Sequence, residues 1–578
     1  MLKLDLSYVG KLDPEINVLF NNLAQQLRAP FTQMVSDLSK PMQANIDWWV
    51  EGPASRNTLA SPFFHYYCAF HLVDELINKN YDISEIIVDS FALENILKQF
   101  IRANGKSIPI IFKDKRLKSY CKQIIILFVR LPLEIYRRIY QYRCAQKTNH
   151  MQKPIPKKPL ALIDVFVHPG YISKDRYYNG LWENLNNKQR ETTFFVPTFT
   201  GIPARDILSA YKELRTADRN FLIKEDYLKI SDLLFAIGHY LRLFKIKINP
   251  TIVLGVEISS LVKEELRSMR GYSNAVEGLL NYRFSKRIKE QKTKLRMVID
   301  WFENQVVDKG WNAGFNKFYP DIPTIGCRGY IPSLQYLCSY PSKIEYNSGI
   351  LPATISVIGK GFIDSTREFA AILNVENSPA FRFKHLWNEI TAKPDSNYFT
   401  ILVALSIMSE ESFNILNLVN EYLKTIDSNN MRFWVKPHPA MSEKELRNGF
   451  DNKWPEEFII IQGPSSEYIP RSDIMISGMS SICLESMSLG VPVIVVENLR
   501  GLSYNPIPEE VSQDLWRPCR TPNDIENEVE YYQNRSDEEI NKHKEIGLKI
   551  REDYFEPVTK AGVLKFFGIK GDSIVAES

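Results

Sequence analysis

His438 stands in "FWVKPHPAMS", residues 433–442, where a run of β-branched and aromatic residues stops at an imidazole between two prolines. Such a run reads as a buried strand, and flanking prolines restrict the backbone that carries the ring. Further on, "DIMISGMSSICLESMSLGVPVIVVE" places Gly478, Ser480 and Ser481 in a turn from a strand into a helix. Serine is favoured at that entrance, where free backbone N–H groups attract anions. Glu485 follows one helical turn after Ser481, on the same face. Each feature alone has a plainer meaning: a structural histidine, a serine cap, a surface acid. In this order they describe a nucleotide site, with His438 and the serines at a phosphate and Glu485 accepting hydrogen bonds from a ribose. Lys436 adds positive charge beside the phosphate.

Earlier in the chain, "DWFENQVVDKGWNAGF" (300–315) sets Glu303 just after a strand. A carboxylate there can take a hydroxyl proton or attack an anomeric carbon; its plainer role is to bind nearby backbone N–H groups. "LIDVFVHPGYISKDRYYNG" offers Asp164 as a further catalytic candidate and His168, Asp175 and Arg176 for an acceptor. An Asp in such a place is often only a turn cap. Glu257 is weaker still, because acids are routine at helix starts. No carboxylate pair sits where a metal-chelated pyrophosphate needs one, so no metal is expected.

These residues need a scaffold of strands that end on one side. Strand-like runs are expected at 46–50, 85–90 and 107–112, then at 160–166, 192–199 and 295–302. A turn-rich patch, "YPDIPTIGCRGYIPS", follows, and 340–361 reads as a crossing between domains. Five more runs, at 398–406, 431–437, 457–463, 472–478 and 490–497, alternate with helix-length segments. Strands alternating with helices predict an α/β protein with parallel, doubly wound sheets. In such sheets ligands bind beyond the carboxyl ends of the strands.

The chain of 578 residues is too long for one ordinary core. Its 44% hydrophobic and 24% charged residues describe a globular protein, and a net charge of +4 does not mark a nucleic-acid binder. Seven scattered cysteines, none in a CxxC pair, argue against a thiolate metal site and for a reducing compartment. No apolar run follows the N-terminus, so no secretion signal is expected, and no uncharged stretch reaches the ~18 residues of a membrane helix. Residues 113–158 stand out, with 13 Lys or Arg against Asp114 and Glu134 around "IIILFVRLPLEIYRRIY". That basic amphipathic segment is either a membrane-surface anchor or a core helix with a solvated face, interrupted by Pro132.

"KPHP", followed after about forty residues by "SSICLESMSLGVPVIVVE", resembles the donor-binding half of GT-B glycosyltransferases. The nearest likeness is to bacterial enzymes that build surface polysaccharide, lipopolysaccharide or capsule. The His-Pro motif and paired serines resemble those of sialyltransferases and Kdo transferases, which use CMP-activated sugars, and more distantly those of teichoic acid polyol-phosphate transferases. The acidic-glycine motif of the sialyltransferases is not evident. The resemblance, carried by residues 295–560, implies two Rossmann-like domains facing a central cleft. The expected organisation is an acceptor domain at 1–345 with the basic segment 113–158, a nucleotide-sugar domain at 346–555, and a C-terminal helix and tail at 556–578. By that analogy Lys436, His438, Gly478, Ser480, Ser481 and Glu485 hold the donor. The resemblance further implies a metal-independent transferase that moves a sugar, favoured as a CMP-activated ulosonic acid, onto a growing surface glycan. It would need no cofactor beyond its nucleotide-sugar donor and would work in the cytoplasm, at the inner face of the plasma membrane if the basic segment anchors it. A UDP-, GDP- or CDP-sugar transferase, a sugar-nucleotide 2-epimerase and a non-catalytic scaffold of a polysaccharide assembly complex remain alternatives.

Overall fold

The computed structural model describes residues 2–8, 10–113, 116–389, 394–395, 397–439, 441–450, 453–478, 480–498 and 500–569, with backbone only for 116–127. Its architecture rests on two six-stranded sheets in which every paired strand is parallel. The first sheet runs, edge to edge, through Val375–Asn377, Thr354–Val357, Thr324–Arg328, Leu295–Trp301, Leu160–Val167 and Thr193–Phe199. The second runs through Phe458–Ile460, Met431–Lys436, Phe399–Ala404, Ile474–Ser477, Val493–Val496 and Trp516–Cys519. Parallel strands covered on both faces are apolar along their whole length. In Leu160–Val167, accordingly, Leu160 and Leu162 enter one core while Ala161, Ile163 and Val165 enter the other.

Strand order locates the ligand crevices. In the second sheet the chain builds outward from Phe399–Ala404 in both directions, so the order reverses between that strand and Ile474–Ser477, where Ala404 pairs with Ser477. In the first sheet the reversal lies between Leu160–Val167 and Leu295–Trp301. At such a point the loops leave in opposite directions and open a crevice. These two Rossmann-like domains form a GT-B-like fold. They share a core in which Val357, Ile358 and Leu373 of the first domain meet Leu402, Met475 and Met487 of the second, together with Tyr554 and Phe555. After Asp537–Tyr554 the chain crosses back. Glu556 N–H donates to the Ile358 carbonyl at 2.6 Å, and Val563 and Phe566 of helix Lys560–Phe566 join Phe381 and Ile163 in a first-domain core. A Cβ on Gly359 would lie 2.3 Å from the Tyr554 backbone, so only glycine admits the returning helix there.

Several expectations need correction. A boundary at 345/346 falls inside the first sheet, whose strands Thr354–Val357 and Val375–Asn377 come after it. The 340–361 stretch is therefore not a domain crossing; sheet pairing there outweighs the turn residues. The turn-rich patch likewise contains the strand Thr324–Arg328. Residues 46–50 are not a strand. Ile46–Trp49 is one helical turn whose N-cap, Asn45, accepts from the Asp47 N–H, and it buries Trp48 and Trp49. Nor are the first 112 residues part of the first Rossmann-like domain. They form a separate parallel sheet of Leu2–Asp5, Ile83–Val88 and Ile110–Phe112, whose core also takes in Val256, Ile258, Leu261, Val262 and Leu266.

That small N-terminal unit touches both larger domains. Arg56 pairs with Glu345 at 2.5 Å, and Glu345 also holds Lys309 at 2.8 Å. Thr58 donates from its hydroxyl to the Gln335 carbonyl at 2.6 Å, while its own carbonyl accepts from the Tyr504 hydroxyl of the second domain at 3.0 Å.

The basic segment forms one helix, Arg116–Thr148, with Pro132 inside it. From residue 131 onward part of it is a core helix. Arg138 is buried between Glu134 and Glu277, and Cys144 and Ala145 enter a core. The side chains of 116–127, which include much of the expected anchor, lie outside the described residues.

Candidate active site

The crevice of the second sheet carries the residues singled out from the sequence. His438 follows Met431–Lys436, between the buried Pro437 and exposed Pro439, and is half-buried itself. Its carbonyl accepts from the Met441 N–H at 2.8 Å, which closes the turn. Lys436 is half-buried as well, and burial lowers its pKa. Ser477 ends its strand with its hydroxyl donating to the Ala404 carbonyl at 2.9 Å across the switch point. Gly478 follows, and a Cβ there would lie 2.4 Å from Glu411 Oε1. The glycine thus lets an acid on the neighbouring helix Ser409–Leu423 reach the crevice.

Ser480 and Ser481 lead into helix Ile482–Ser488, and both are partly exposed. Ser481 occupies the N-cap position yet makes no side-chain capping bond, so its hydroxyl is not spent on the helix. With only seven residues, that helix offers its hydroxyls and first N–H groups more than a macrodipole. Glu485 lies on the same face and accepts from His385 Nε2 at 3.1 Å.

The first domain faces this set with groups from its own switch point. Glu303, two residues beyond Leu295–Trp301, is held at both oxygens: Trp301 Nε1 donates to one at 3.0 Å and Gln305 Nε2 to the other at 2.5 Å. Gln305 also donates to the Tyr336 hydroxyl at 3.0 Å, which Asn57 of the N-terminal unit reaches at 3.4 Å. From the adjacent strand end, His168 Nε2 shares a 2.6 Å hydrogen bond with the Tyr177 hydroxyl. The Tyr177 ring stands edge-on to Trp301, centroids 4.5 Å apart. His168, Tyr177, Trp301 and Glu303 therefore form one connected surface.

Electrostatics ties the two halves together. Burial, then Arg176 and Arg382, lower the pKa of His168. Burial, then Arg176, Lys436 and Arg382, lower that of His438. Two arginines thus act on a histidine from each domain. Burial and these cations both disfavour the charged imidazoles, and an arriving anion would offset that and favour their protonation.

Asp164 and Asp175 do not belong to this surface. Asp164 lies within its strand, 1% exposed, and neither oxygen makes a hydrogen bond of ordinary geometry. Burial pushes it up to about 7, with Lys224 opposing. It is a buried acid beneath the site, not a group facing substrate. Asp175 is a turn cap. One oxygen accepts from the Tyr177 and Tyr178 N–H groups at 2.9 and 2.8 Å, and the other pairs with Arg219 at 2.9 Å. It fixes the loop that presents Arg176 and Tyr177. Glu257, exposed at a hairpin edge, bonds Ser259.

Sequence reasoning missed Arg382 and His385, which belong to "FRFKHLW" (381–387) between the sheets. Two cations and a histidine in seven residues of a linker were the available signal. Tyr177 gave none. The ≈ 460 Å³ cavity lined by Arg296, Glu376, Glu556 and Phe567 lies behind the domain junction and includes none of the cleft residues.

No protein-family model matches the chain, and no curated protein matches it. Solved structures do. A UDP complex of S. aureus MnaA matches with 11% identity and a TM-score of 0.42, over 72% of this chain and 98% of that one. The lipopolysaccharide outer core galactosyltransferase WaaB matches with 13% identity and a TM-score of 0.39, over 71% and 99%. A UDP-GlcNAc 2-epimerase from Neisseria meningitidis bound to UDP-GlcNAc gives 13% and 0.39, over 72% and 100%. At such scores the likenesses add nothing to what the two sheets establish.

Proposed function

We propose that the protein is a glycosyltransferase that binds a nucleotide sugar on its second domain and transfers the sugar to an acceptor held by the first. The observation that carries this reading is that Arg176 of the first domain and Arg382 of the linker act both on His168 of the first domain and on His438 of the second, so the two histidines share one cationic cleft. The favoured donor is a CMP-activated ulosonic acid, which carries two separated anions. His438, Ser480 and Ser481, with Lys436 and the Gly478 turn, take the phosphate; Arg176 on the opposite wall takes the sugar carboxylate. Glu485, oriented by His385, accepts hydrogen bonds from the ribose. A UDP-, GDP- or CDP-linked donor places both charges on its pyrophosphate and makes less use of Arg176.

Glu303 is the group assigned to the acceptor. With both oxygens held by Trp301 and Gln305, its carboxylate takes the proton of an acceptor hydroxyl as that oxygen bonds to the anomeric carbon. The bond from that carbon to the phosphate oxygen breaks, and its electron pair leaves with the nucleotide. Cations and hydroxyls aimed at the leaving phosphate stabilise the charge. His168 flanks the acceptor on a surface glycan, growing at the inner face of the plasma membrane. Because the charge is met by side chains, transfer is expected to continue in EDTA.

A thermal-shift panel of CMP, UDP, GDP and CDP tests the reading, since a ligand bound to the folded state stabilises it by mass action. CMP giving the largest shift supports it, and a larger UDP shift replaces the donor. No shift with any nucleotide favours the scaffold, and conversion of a sugar nucleotide without acceptor identifies an epimerase.

A further inference from the structure

Residues 230–254 place apolar side chains where water meets the protein. Ile230, Leu234, Leu241, Phe244 and Ile252 are each at least 63% exposed. Single exposed leucines are ordinary, but a cluster of bulky ones marks a surface that something covers. The residues lie on helices Ile230–Ile237 and His239–Leu243 and on the hairpin Ile252–Val253 with Val256–Glu257. The hairpin turn carries Leu254 at φ +48° and Gly255 at φ +77°. A leucine in the left-handed region costs energy and is usually replaced by Asn or Gly. Here it puts a further apolar side chain at the tip.

The first of these helices packs against Arg116–Thr148, where Phe128 and Leu133 are 73% and 60% exposed. Leu131 turns inward beside Phe235 and Tyr240, so the outward residues of both helices border one face. The charges around it are mainly positive, with Glu257 opposite Ile252 on the hairpin and Glu290 beside Lys229 as the exposed acids. Lys229, Lys245 and Lys247 are exposed, and Arg130, also exposed, anchors to the Met269 carbonyl. Between 229 and 254 the single acid is Asp232, buried against Arg283 and Arg287 at 2.6 Å.

We propose that this face docks on an anionic phospholipid bilayer, with the apolar residues entering the interface and the lysines meeting the headgroups. Apolar side chains bordered by more cations than acids, with Lys245, Lys247 and Arg130 against Glu257, complement such a surface. The face is not the basic run seen in the sequence. Most of its apolar residues come from 230–254, and it stands whether or not the glycosyltransferase reading does.

Flotation of the full chain with vesicles tests it. The wild type should rise with equimolar phosphatidylcholine–phosphatidylglycerol vesicles, rise less at high salt, and stay down with phosphatidylcholine alone. Substituting Lys245→Gln with Lys247→Gln should weaken binding about fivefold for each charge. The triple variant Leu234→Ser, Leu241→Ser, Phe244→Ser should lose at least tenfold while keeping the wild-type circular dichroism and nucleotide shifts. A wild type that never floats, or a triple variant that floats as well as the wild type, overturns the proposal. So does a concentration-dependent dimer without flotation, which gives the face to a second copy.

Discussion

The second domain assembles its half of the cleft from two short stretches, 436–438 and 478–485, on strands that flank the switch-point strand Phe399–Ala404. The first domain gathers its half from distant places: His168 and Arg176 after one strand, Glu303 after another, Arg382 from the linker, and Asn57 from the N-terminal unit. The difference separates recognition from chemistry. A nucleotide is bound by a local turn and its neighbour. A reacting hydroxyl needs groups from several elements held in register, so the first domain fixes Glu303 at both oxygens and ties its surface to a third unit.

If that division holds, the largest effect comes from the first domain. Glu303→Gln should lower kcat by ~10²–10⁴ and leave nucleotide binding intact; a variant turning over near the wild-type rate removes Glu303 from the chemistry. His438→Ala spans the division, because it meets the phosphate as the bond breaks. A loss of ~10²–10³ in kcat in a folded protein is expected. Its wild-type parent should also take up protons when CMP binds near pH 6–7, because burial and then nearby cations hold the imidazole below its ordinary pKa. Calorimetry in buffers of different ionisation enthalpy reads that uptake, and its absence detaches the histidines from the phosphate.

The second domain should show binding losses instead. Glu485→Ala is expected to weaken CMP and cytidine alike by about ten- to a hundredfold, the worth of hydrogen bonds to a charged acceptor. Ser480→Ala with Ser481→Ala should weaken CMP by a smaller factor and leave cytidine unchanged. Equal losses for both ligands would merge the two subsites.

The smallest effect on activity should come from Asp164→Asn, and it appears in stability. The folded protein holds this proton up to about 7 against an ordinary 3.8, so it binds more protons than the unfolded chain in that window. Stability from this group therefore falls as pH rises from about 4 to about 7. The variant should flatten that dependence and raise the unfolding temperature above pH 7 by about 2–4 °C, with kcat little changed. A large loss of kcat would return Asp164 to the catalytic set.

Much of the second domain was legible. The strands at 398–406, 431–437 and 472–478 are mostly apolar, and the loops that follow them are short, so each candidate residue lies close in sequence to the strand that positions it. The short strands Val375–Asn377 and Trp516–Cys519 left no periodic trace, since three or four residues cannot establish a pattern. "IDWWV" misled because bulky aromatic residues suit a strand, yet the Asn45 cap and burial of both tryptophans turn it into a helix.

By itself the sequence determined the α/β class, the parallel sheets, and the His-Pro and paired-Ser turns at the strand ends of the second domain. Those are local properties: periodicity, turn chemistry and residues within a few positions of each other. Only the tertiary structure decided that Asp164 is buried, that Asp175 caps a turn, and that Arg176 and Arg382 converge on both histidines. It also decided that the first 112 residues carry a sheet of their own and bridge both domains. Burial and electrostatic neighbours depend on which strands pair across more than a hundred residues of chain, and no spacing in the sequence encodes that distance.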